Sequence, residues 1–215
     1  MIVMVNPNSP TGQYLTRAEM QELLAKLSEE KTLFIDETYI DFIGKDESVE
    51  ELVPDHKNLV VLKSMSKVYA LSGARVGYLA AHSDVVGKVR RYIPPWSVSL
   101  IGQVAGVEAL KSEDYYRERI AETNGLREDF SEKLREIQGV IVYPGCANFV
   151  LLGIGKTGKK AQDVYDELAK QNIYVRDASS MSSQFNQDFI RTAVRDRESN
   201  DKMKLPTAPR GGVSH

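Results

Sequence analysis

Four short apolar runs in the first part of the chain have the length and composition of β-strands. They are Ile2–Val5, Thr32–Ile35, Leu59–Leu62 and Arg75–Ala81. A helical pattern lies between the first two runs and starts at a capping box formed by Thr16 and Glu19. Because strands alternate with helical stretches, we predict an α/β fold with βαβ units, a mostly parallel sheet and a buried first strand.

The hydrophobic pattern changes in the second half of the chain. A helix capped by Ser83 precedes a long helical region over residues 97–137, with a bend expected at Ser112. Later strands are predicted at Val140–Val142, Asn148–Leu152, Ile173–Val175 and Phe189–Val194, with a helix at Lys160–Lys170. These elements indicate a small α+β C-terminal domain at residues 113–204, after a large-domain portion at residues 1–112. Residues 205–215 contain Pro and Gly and are predicted to form a disordered tail.

Polar motifs follow the first three predicted strands. They read Asn-Pro-Asn-Ser-Pro-Thr-Gly at 6–12, Asp-Glu-Thr-Tyr at 36–39, and Ser-Met-Ser-Lys at 64–67, the last continuing to Gly-Ala-Arg-Val-Gly at 73–77. In an open parallel sheet, ligands bind in the crevice at the carboxyl ends of the strands. We therefore expect all three motifs to face one crevice.

The third motif has the side chains needed to hold an aldehyde cofactor that carries a phosphate. The amine of Lys67 can form a Schiff base with the aldehyde. The hydroxyls of Ser64 and Ser66 and the guanidinium of Arg75 can bind the phosphate through charge-assisted hydrogen bonds. A lysine on a loop is more often a solvated surface group, so this interpretation depends on the accompanying motifs.

The second motif contains side chains that can bind a pyridine ring. Asp36 can pair with a protonated ring nitrogen, which keeps the ring an electron sink, and Tyr39 can donate a hydrogen bond to the ring's phenolic oxygen. Taken alone, Asp36 could equally cap a turn, where Asp is common. The presence of Tyr39 and Lys67 favours the cofactor role.

In this order the three motifs resemble those of class I/II aminotransferases of the aspartate-aminotransferase fold, which are fold-type-I pyridoxal-phosphate enzymes. The likeness is greatest to histidinol-phosphate aminotransferase and threonine-phosphate decarboxylase, and it runs from Ile2 to about Lys204. The resemblance implies pyridoxal 5'-phosphate as the cofactor, Lys67 as its Schiff-base lysine and a small-molecule amino substrate. It also implies a homodimer for full-length members.

The same resemblance assigns roles to two arginines and to the first motif. Phe189–Val194 resembles the strand that carries the family's substrate-anion arginine, so Arg191 is its counterpart, and Arg176 is a second candidate anion contact. Ordinary surface positions are the alternative, with Asp177 as a partner for Arg176. Family members commonly have Asn, bonded to the phenolic oxygen, at the position of Ser9, so we expect Ser9 or Asn8 to make that contact.

Three interpretations of the activity remain open. The core motifs are shared by transamination and decarboxylation and do not decide between them. Transamination, with Lys67 as the base, comes first because it is the commoner activity of the fold. A Pro-Trp stretch at 95–96 resembles threonine-phosphate decarboxylases instead and favours loss of the carboxylate. Because the resemblance lacks the family's N-terminal part, an inactive fragment with impaired dimer assembly is the third interpretation.

Composition narrows the class of partners. The chain of 215 residues is 42% apolar and 27% charged, with a formal net charge of -2 and mixed signs, which favours neither a nucleic-acid groove nor a membrane-surface patch. No apolar run reaches the roughly 18 residues of a transmembrane helix. The single cysteine, Cys146, rules out an internal disulfide and favours a cytoplasmic setting. The three histidines have no metal-ligand spacing, so no metal site is expected.

Overall fold

The computed structural model describes residues 1–205, which fall into two compact units. The first unit comprises residues 1–8 and 13–121, and the second comprises residues 9–12 and the chain from residue 122 onward. The division between them falls within a long helix, α4 (Glu113–Arg135). The domain boundary predicted after residue 112 differs from this division and stays a prediction.

The first unit contains a four-stranded sheet in the order β1-β2-β3-β4. The strands are β1 (Ile2–Val5), β2 (Leu33–Asp36), β3 (Leu59–Ser64) and β4 (Gly77–Ala81). The first three are parallel and β4 is antiparallel to β3, which confirms the prediction of a mostly parallel sheet. The fourth strand starts later than predicted because residues 72–74 form a short 3-10 turn and Arg75 has a left-handed backbone.

Helices α1 (Arg17–Lys26), α2 (Ser83–Arg90) and α3 (Leu100–Lys111) also belong to the first unit. The predicted capping box is present, since Thr16 and Glu19 bond each other's backbone N–H groups. The prediction that Ser83 caps α2 is wrong. His82 holds the cap position, and its ring accepts a hydrogen bond from the Asp84 N–H. At Ser112, where a bend was expected, α3 ends and α4 starts at the next residue.

The core of the first unit lies between α1 and the central strands. Met20 and Leu24 of α1 pack with Leu33 and Ile35 of β2 and with neighbouring apolar residues. The expectation that β1 is buried is wrong, because Ile2, Val3 and Val5 are exposed. Among residues 1–205 this strand pairs on one side only, with β2, and lies at the edge of its sheet.

The second unit contains an antiparallel sheet in the order β5-β6-β8-β7. The strands are β5 (Ile141–Tyr143), β6 (Phe149–Gly153), β7 (Arg176–Asp177) and β8 (Phe189–Ala193), and the helices are α5 (Ala161–Ala169), α6 (Arg197–Lys202) and the later part of α4. The strand predicted at Ile173–Val175 is misplaced. Those residues follow the end of α5, where Asn172 is left-handed and the Ile173 N–H bonds Leu168 O. In this segment the strand pairing with β8 covers Arg176 and Asp177, which form β7.

The core of the second unit is a continuous apolar cluster between the sheet and its helices. Phe130 and Leu134 of α4, Leu168 of α5 and Ile190 of β8 are all buried in it. Leu205 belongs to the same cluster, so the predicted disordered tail is wrong at this residue. The rest of that prediction, residues 206–215, lies outside the described residues. None of the described helices is both long enough and apolar enough to cross a membrane.

Candidate cofactor site

The carboxyl ends of β1, β2 and β3 lie side by side in the first unit. Val5 is opposite Asp36, and Asp36 is opposite Leu62. The ladder continues past the strands, because the Asn6 N–H bonds Asp36 O and the Glu37 N–H bonds Leu62 O, both at 2.9 Å. Asp36 therefore occupies the middle of three adjacent strand ends. This is the edge where ligands bind in open parallel sheets.

Asp36 and Tyr39 lie in a compact turn after β2. The Oδ1 atom of Asp36 accepts hydrogen bonds from both the backbone N–H, at 2.9 Å, and the hydroxyl of Thr38. The turn-capping geometry considered for Asp36 is thus present, but these contacts use one of its two carboxylate oxygens. Tyr39 is buried at the start of a 3-10 turn, Ile40–Phe42. The carboxylate is therefore held in one orientation at the strand end.

Lys67 lies on the loop that follows β3 and is exposed. Its carbonyl accepts a hydrogen bond from the Ala70 N–H at 3.1 Å, which closes a tight turn, and Ala70 has a left-handed backbone with φ 55. The Ser66 N–H donates to the Ser64 hydroxyl at 3.3 Å. Ser64, Ser66 and Lys67 therefore share one short, internally bonded loop.

Arg75 is brought back to the same end of the sheet by the pairing of β3 with β4. Ser64 is opposite Gly77, and the Met65 N–H bonds Val76 O at 3.2 Å. The Arg75 guanidinium is exposed and donates to Ser72 O at 2.9 Å. A Cβ on Gly77 would lie 2.7 Å from Lys63 O, so the close approach of the two strands requires glycine here.

A buried ion pair that the sequence interpretation missed lies next to these strand ends. Lys63 Nζ is 2.7 Å from Glu37 Oε2, with side chains that are 9% and 0% exposed. The carboxylate of Glu37 also accepts from the Ser48 hydroxyl at 2.6 Å and the Val49 N–H at 2.8 Å. The sequence signal for this pair is a lysine within the otherwise apolar pattern of β3. An unpaired charge is rarely buried, so such a lysine indicates a buried acidic partner.

Two tyrosines close to this pair are held in the neutral form. Burial is the main cause that raises the pKa of Tyr69, and nearby Asp41 adds to it. Burial likewise raises the pKa of Tyr78, whose hydroxyl donates to Glu50 Oε2 at 3.0 Å. Burial also raises the pKa of the Asp41 carboxyl, while Lys63 acts against this shift. Both tyrosines can therefore serve as hydrogen-bond donors at neutral pH.

The second unit contains three further predicted site residues, Arg191, Arg176 and Ser9. Arg191 Nη1 donates to the Ser9 hydroxyl at 2.7 Å, and its guanidinium lies 4.9 Å from the centre of the Phe149 ring. Arg176 is directly opposite Arg191 in the β7–β8 pair. The alternative partner Asp177 accepts instead from the Ser179 N–H at 2.7 Å. Within residues 1–205, neither arginine forms an ion pair with a carboxylate.

The donor set of the first unit fits a phosphorylated pyridine aldehyde. An exposed amine, two hydroxyls and an exposed guanidinium share the loop around Lys67, and a fixed carboxylate and a buried phenol follow the neighbouring strand. These are the groups that an aldehyde, a phosphate and a protonated ring nitrogen require. In the described part of the chain, no cluster of His, Cys, Asp and Glu could hold a metal ion.

The fold is that of a pyridoxal-phosphate-dependent transferase. The aminotransferase class I and II family matches residues 1–203, and the chain belongs to this family. Its members use pyridoxal 5'-phosphate, so the cofactor inferred from the motifs is that of the family.

Individual relatives point to one part of the family. Histidinol-phosphate aminotransferase 2 of Archaeoglobus fulgidus is 37% identical over 207 residues, which are 94% of this chain and 56% of that protein. A solved histidinol-phosphate aminotransferase from Clostridium acetobutylicum is 26% identical with a TM-score of 0.86, over 93% of this chain and 60% of that one.

The chain is also similar to a solved decarboxylase structure. A solved L-threonine-O-3-phosphate decarboxylase from Porphyromonas gingivalis is 28% identical with a TM-score of 0.82, over 94% of this chain and 62% of that one. The chain spans about half the length of the relatives it matches, with 56% and 52% for two histidinol-phosphate aminotransferases.

Proposed function

We propose that the protein is a pyridoxal-phosphate-dependent aminotransferase that acts on an amino acid or an amino-phosphate, similar to histidinol-phosphate aminotransferase. The observation that carries this proposal is the arrangement in the first unit. Asp36 lies in the middle of three adjacent strand ends, and the loop of Ser64, Ser66 and Lys67 follows the neighbouring strand. The identity of 37% to a histidinol-phosphate aminotransferase supports the substrate class.

When bound, pyridoxal phosphate supplies an electron sink for electrons left at the substrate's α-carbon. The residues of this chain have separate tasks. The amine of Lys67 would hold the cofactor's aldehyde carbon and could accept and return the α-proton. Asp36 keeps the ring nitrogen protonated, with Thr38 fixing the carboxylate. Tyr39, with Asn8 or Ser9, donates to the phenolic oxygen.

The phosphate and the substrate's anionic group need different cations. Ser64, Ser66 and Arg75 bind the cofactor phosphate, which Arg75 suits because its guanidinium is exposed at the loop. Arg191 binds the substrate's carboxylate or phosphate, with Arg176 as the second contact. The support for these two roles is that the arginines face each other across β7 and β8 without carboxylate partners in the described chain.

The test is labelling of the purified chain with pyridoxal phosphate. A visible absorption band that borohydride bleaches, with the added mass on Lys67 after peptide mapping, is expected. The variant Lys67→Ala should lose both band and label, whereas Lys111→Ala, which removes an exposed lysine paired with Glu108, should keep them. A label spread over surface lysines, or retained in Lys67→Ala, contradicts the proposal and favours the inactive-fragment interpretation.

A decarboxylase is the second candidate, favoured by the fold likeness to a threonine-phosphate decarboxylase. The two reactions share the residues of the first unit and differ in which bond to the α-carbon breaks. Incubation of the cofactor-loaded chain with histidinol phosphate and 2-oxoglutarate, and separately with threonine phosphate, distinguishes them. Glutamate formation identifies the aminotransferase, and carbon dioxide release identifies the decarboxylase.

The assembly and the cellular setting belong to the same proposal. A homodimer of the full-length protein is supported by the exposed apolar side chains of α3, which include Leu100, Ile101 and Val104. The single cysteine suits a reducing cytoplasm. Analytical ultracentrifugation tests the assembly.

A further inference from the structure

The ion pair between Glu37 and Lys63 connects two strands at their ends. Glu37 follows Asp36 directly, and Lys63 precedes Ser64 directly. The two strands are parallel neighbours, and the Glu37 N–H bonds Leu62 O at 2.9 Å. The side-chain contact of 2.7 Å therefore joins the two positions adjacent to Asp36 and Ser64, which are proposed to bind opposite ends of the cofactor.

The pair is surrounded by protein groups of the first unit. Lys63 Nζ donates to the Ser48 hydroxyl at 3.0 Å and lies 3.9 Å from Glu50 Oε2. Ser48 in turn donates to Glu37, and Val49 donates its N–H to the other carboxylate oxygen. Each charge thus has defined hydrogen bonds, so the pair has one geometry rather than several.

The side chain of Lys63 also points away from the candidate cofactor residues. Successive side chains of a strand lie on opposite faces, so those of Lys63 and Ser64 face opposite sides of β3. Lys63 is opposite Tyr78 in β4, and the Tyr78 hydroxyl bonds Glu50. The network therefore acts from behind the strand ends and cannot itself touch the cofactor.

The stability of the fold does not by itself explain a buried ion pair at this position. Replacing a buried ion pair by apolar groups of similar volume is often neutral or stabilising, because both charges lose their hydration on folding. What the pair does supply is a short, directional connection between the ends of β2 and β3. A change in that connection would alter the separation of Asp36 from Ser64, and with it the fit of a rigid planar cofactor.

We propose that Glu37 and Lys63 are positioning residues that fix Asp36 relative to Ser64 and the Lys67 loop. This inference rests on the proposed function and assigns the two residues a role in cofactor affinity through the residues beside them. Lys63 is distinct from the Schiff-base lysine and is too buried to react with an aldehyde, with a side chain that is 9% exposed.

The test separates positioning from simple charge compensation with a set of variants. Lys63→Met leaves a buried carboxylate without its cation, whereas Glu37→Gln/Lys63→Met removes both charges and keeps one acceptor oxygen, which can accept from the Val49 N–H. Lys63→Arg keeps the charge. Lys111→Met removes the exposed lysine that pairs with Glu108 at 2.9 Å and is the matched control. Each variant is measured for thermal unfolding, for the dissociation constant of pyridoxal phosphate by fluorescence titration, and for borohydride label on Lys67.

The double variant decides the outcome. We expect it to unfold at the temperature of the unmodified chain but to bind pyridoxal phosphate about tenfold to a hundredfold more weakly, the range for losing one hydrogen bond to a charged group. The dissociation constants of Lys63→Arg and of the control should lie within about threefold of that of the unmodified chain. This change is smaller than the loss of one such hydrogen bond. A double variant that is as stable and binds as tightly as the unmodified chain overturns the proposal.

Two further outcomes are also decisive. If the double variant does not fold, the single variant Glu37→Gln is measured instead, since it keeps the shape of the side chain and one acceptor oxygen. Normal cofactor affinity in folded Glu37→Gln overturns the proposal. If the unmodified chain does not label at Lys67, the proposed function fails and the positioning role fails with it. Labelling of the unmodified chain with unchanged affinity in the variants rejects the positioning role alone.

Discussion

Arg176 lies directly opposite Arg191 in the antiparallel pair of β7 and β8. Directly opposite side chains of such a pair lie on the same face, and like charges there are destabilising. Arg191 is also held in place by the Ser9 hydroxyl at 2.7 Å and by the ring of Phe149. Two cations in this arrangement are stabilised by an anion between them, which is the physical basis for their proposed role.

Removing either arginine should weaken the binding of an anion. We expect Arg191→Ala to raise the dissociation constant of inorganic phosphate by about tenfold or more, because a charge-assisted hydrogen bond contributes about 1.5–3 kcal/mol. Arg176→Ala should have a smaller effect, since Arg176 is exposed and water screens its charge. Isothermal titration calorimetry at low ionic strength measures both constants.

The matched control for these variants is Arg197→Ala. Arg197 is an exposed arginine of the same unit, and it pairs with Asp129 at 2.6 Å. Its removal should leave phosphate affinity unchanged. Equal losses in Arg197→Ala and Arg191→Ala would show that only the overall charge matters, and the anion-binding role would be rejected.

Two glycine substitutions should have opposite effects on stability, because one glycine lies where β3 and β4 approach closely and the other lies in open space. Gly77→Ala places a Cβ 2.7 Å from Lys63 O, so it should destabilise the chain by about 1–3 kcal/mol, the usual range for forced overpacking. Gly87 lies within α2, and a Cβ added there would have no neighbouring atom within 4 Å, so Gly87→Ala should stabilise by about 0.5–1 kcal/mol. Urea unfolding measures both changes. A neutral Gly77→Ala would show that the strands can separate at no cost.

Cys146 should react slowly in the folded chain. Burial raises the pKa of its thiol from 9.0 to about 11, with Arg127 acting against the shift. The Sγ atom also lies 2.9 Å from Gly12 O within the second unit, as a thiol donor would. Because the thiolate is the reactive form, alkylation at pH 8 should be much slower in the native chain than in urea, and the native rate should rise steeply up to about pH 11.

The same shift has a defined sign for stability. The folded state holds the proton more tightly than the unfolded state, so this contribution is fully present below about pH 9 and is lost as the pH rises towards 11. Cys146→Ala should therefore flatten the decline of stability in that range. Equal alkylation rates at pH 8 in native and unfolded chains would contradict the buried thiol.

The strand ends could be predicted from the sequence because each apolar run is followed at once by polar residues. The runs before Asp36 and Lys67 form parallel neighbours as predicted, since buried strands need continuous apolar side chains. The exposure of β1 was not predictable in the same way. Its apolar sequence resembles that of β2, and only the pairing pattern shows that it lies at an edge.

The sequence patterns did not predict contacts between residues that are far apart along the chain. Ser9 was expected to contact the cofactor ring, and this stays a prediction, but its hydroxyl accepts from Arg191, far away along the chain. The Glu37–Lys63 pair was missed for a related reason. Local periodicity reports which face of an element is apolar, whereas the partner of a buried charge depends on how the elements pack.

Leu205 provides a direct test of the end of the second unit's core. It is buried with Met203, Phe130 and Leu134, although a disordered tail was predicted from residue 205 onward. Leu205→Ala should destabilise the chain by about 2–4 kcal/mol, because it removes buried methyl groups and leaves a cavity. Lys204→Ala, at the exposed neighbouring position, should change stability by less than about 0.5 kcal/mol. Thermal and urea unfolding measure both, and equal, small effects would show that Leu205 contributes no packing in solution.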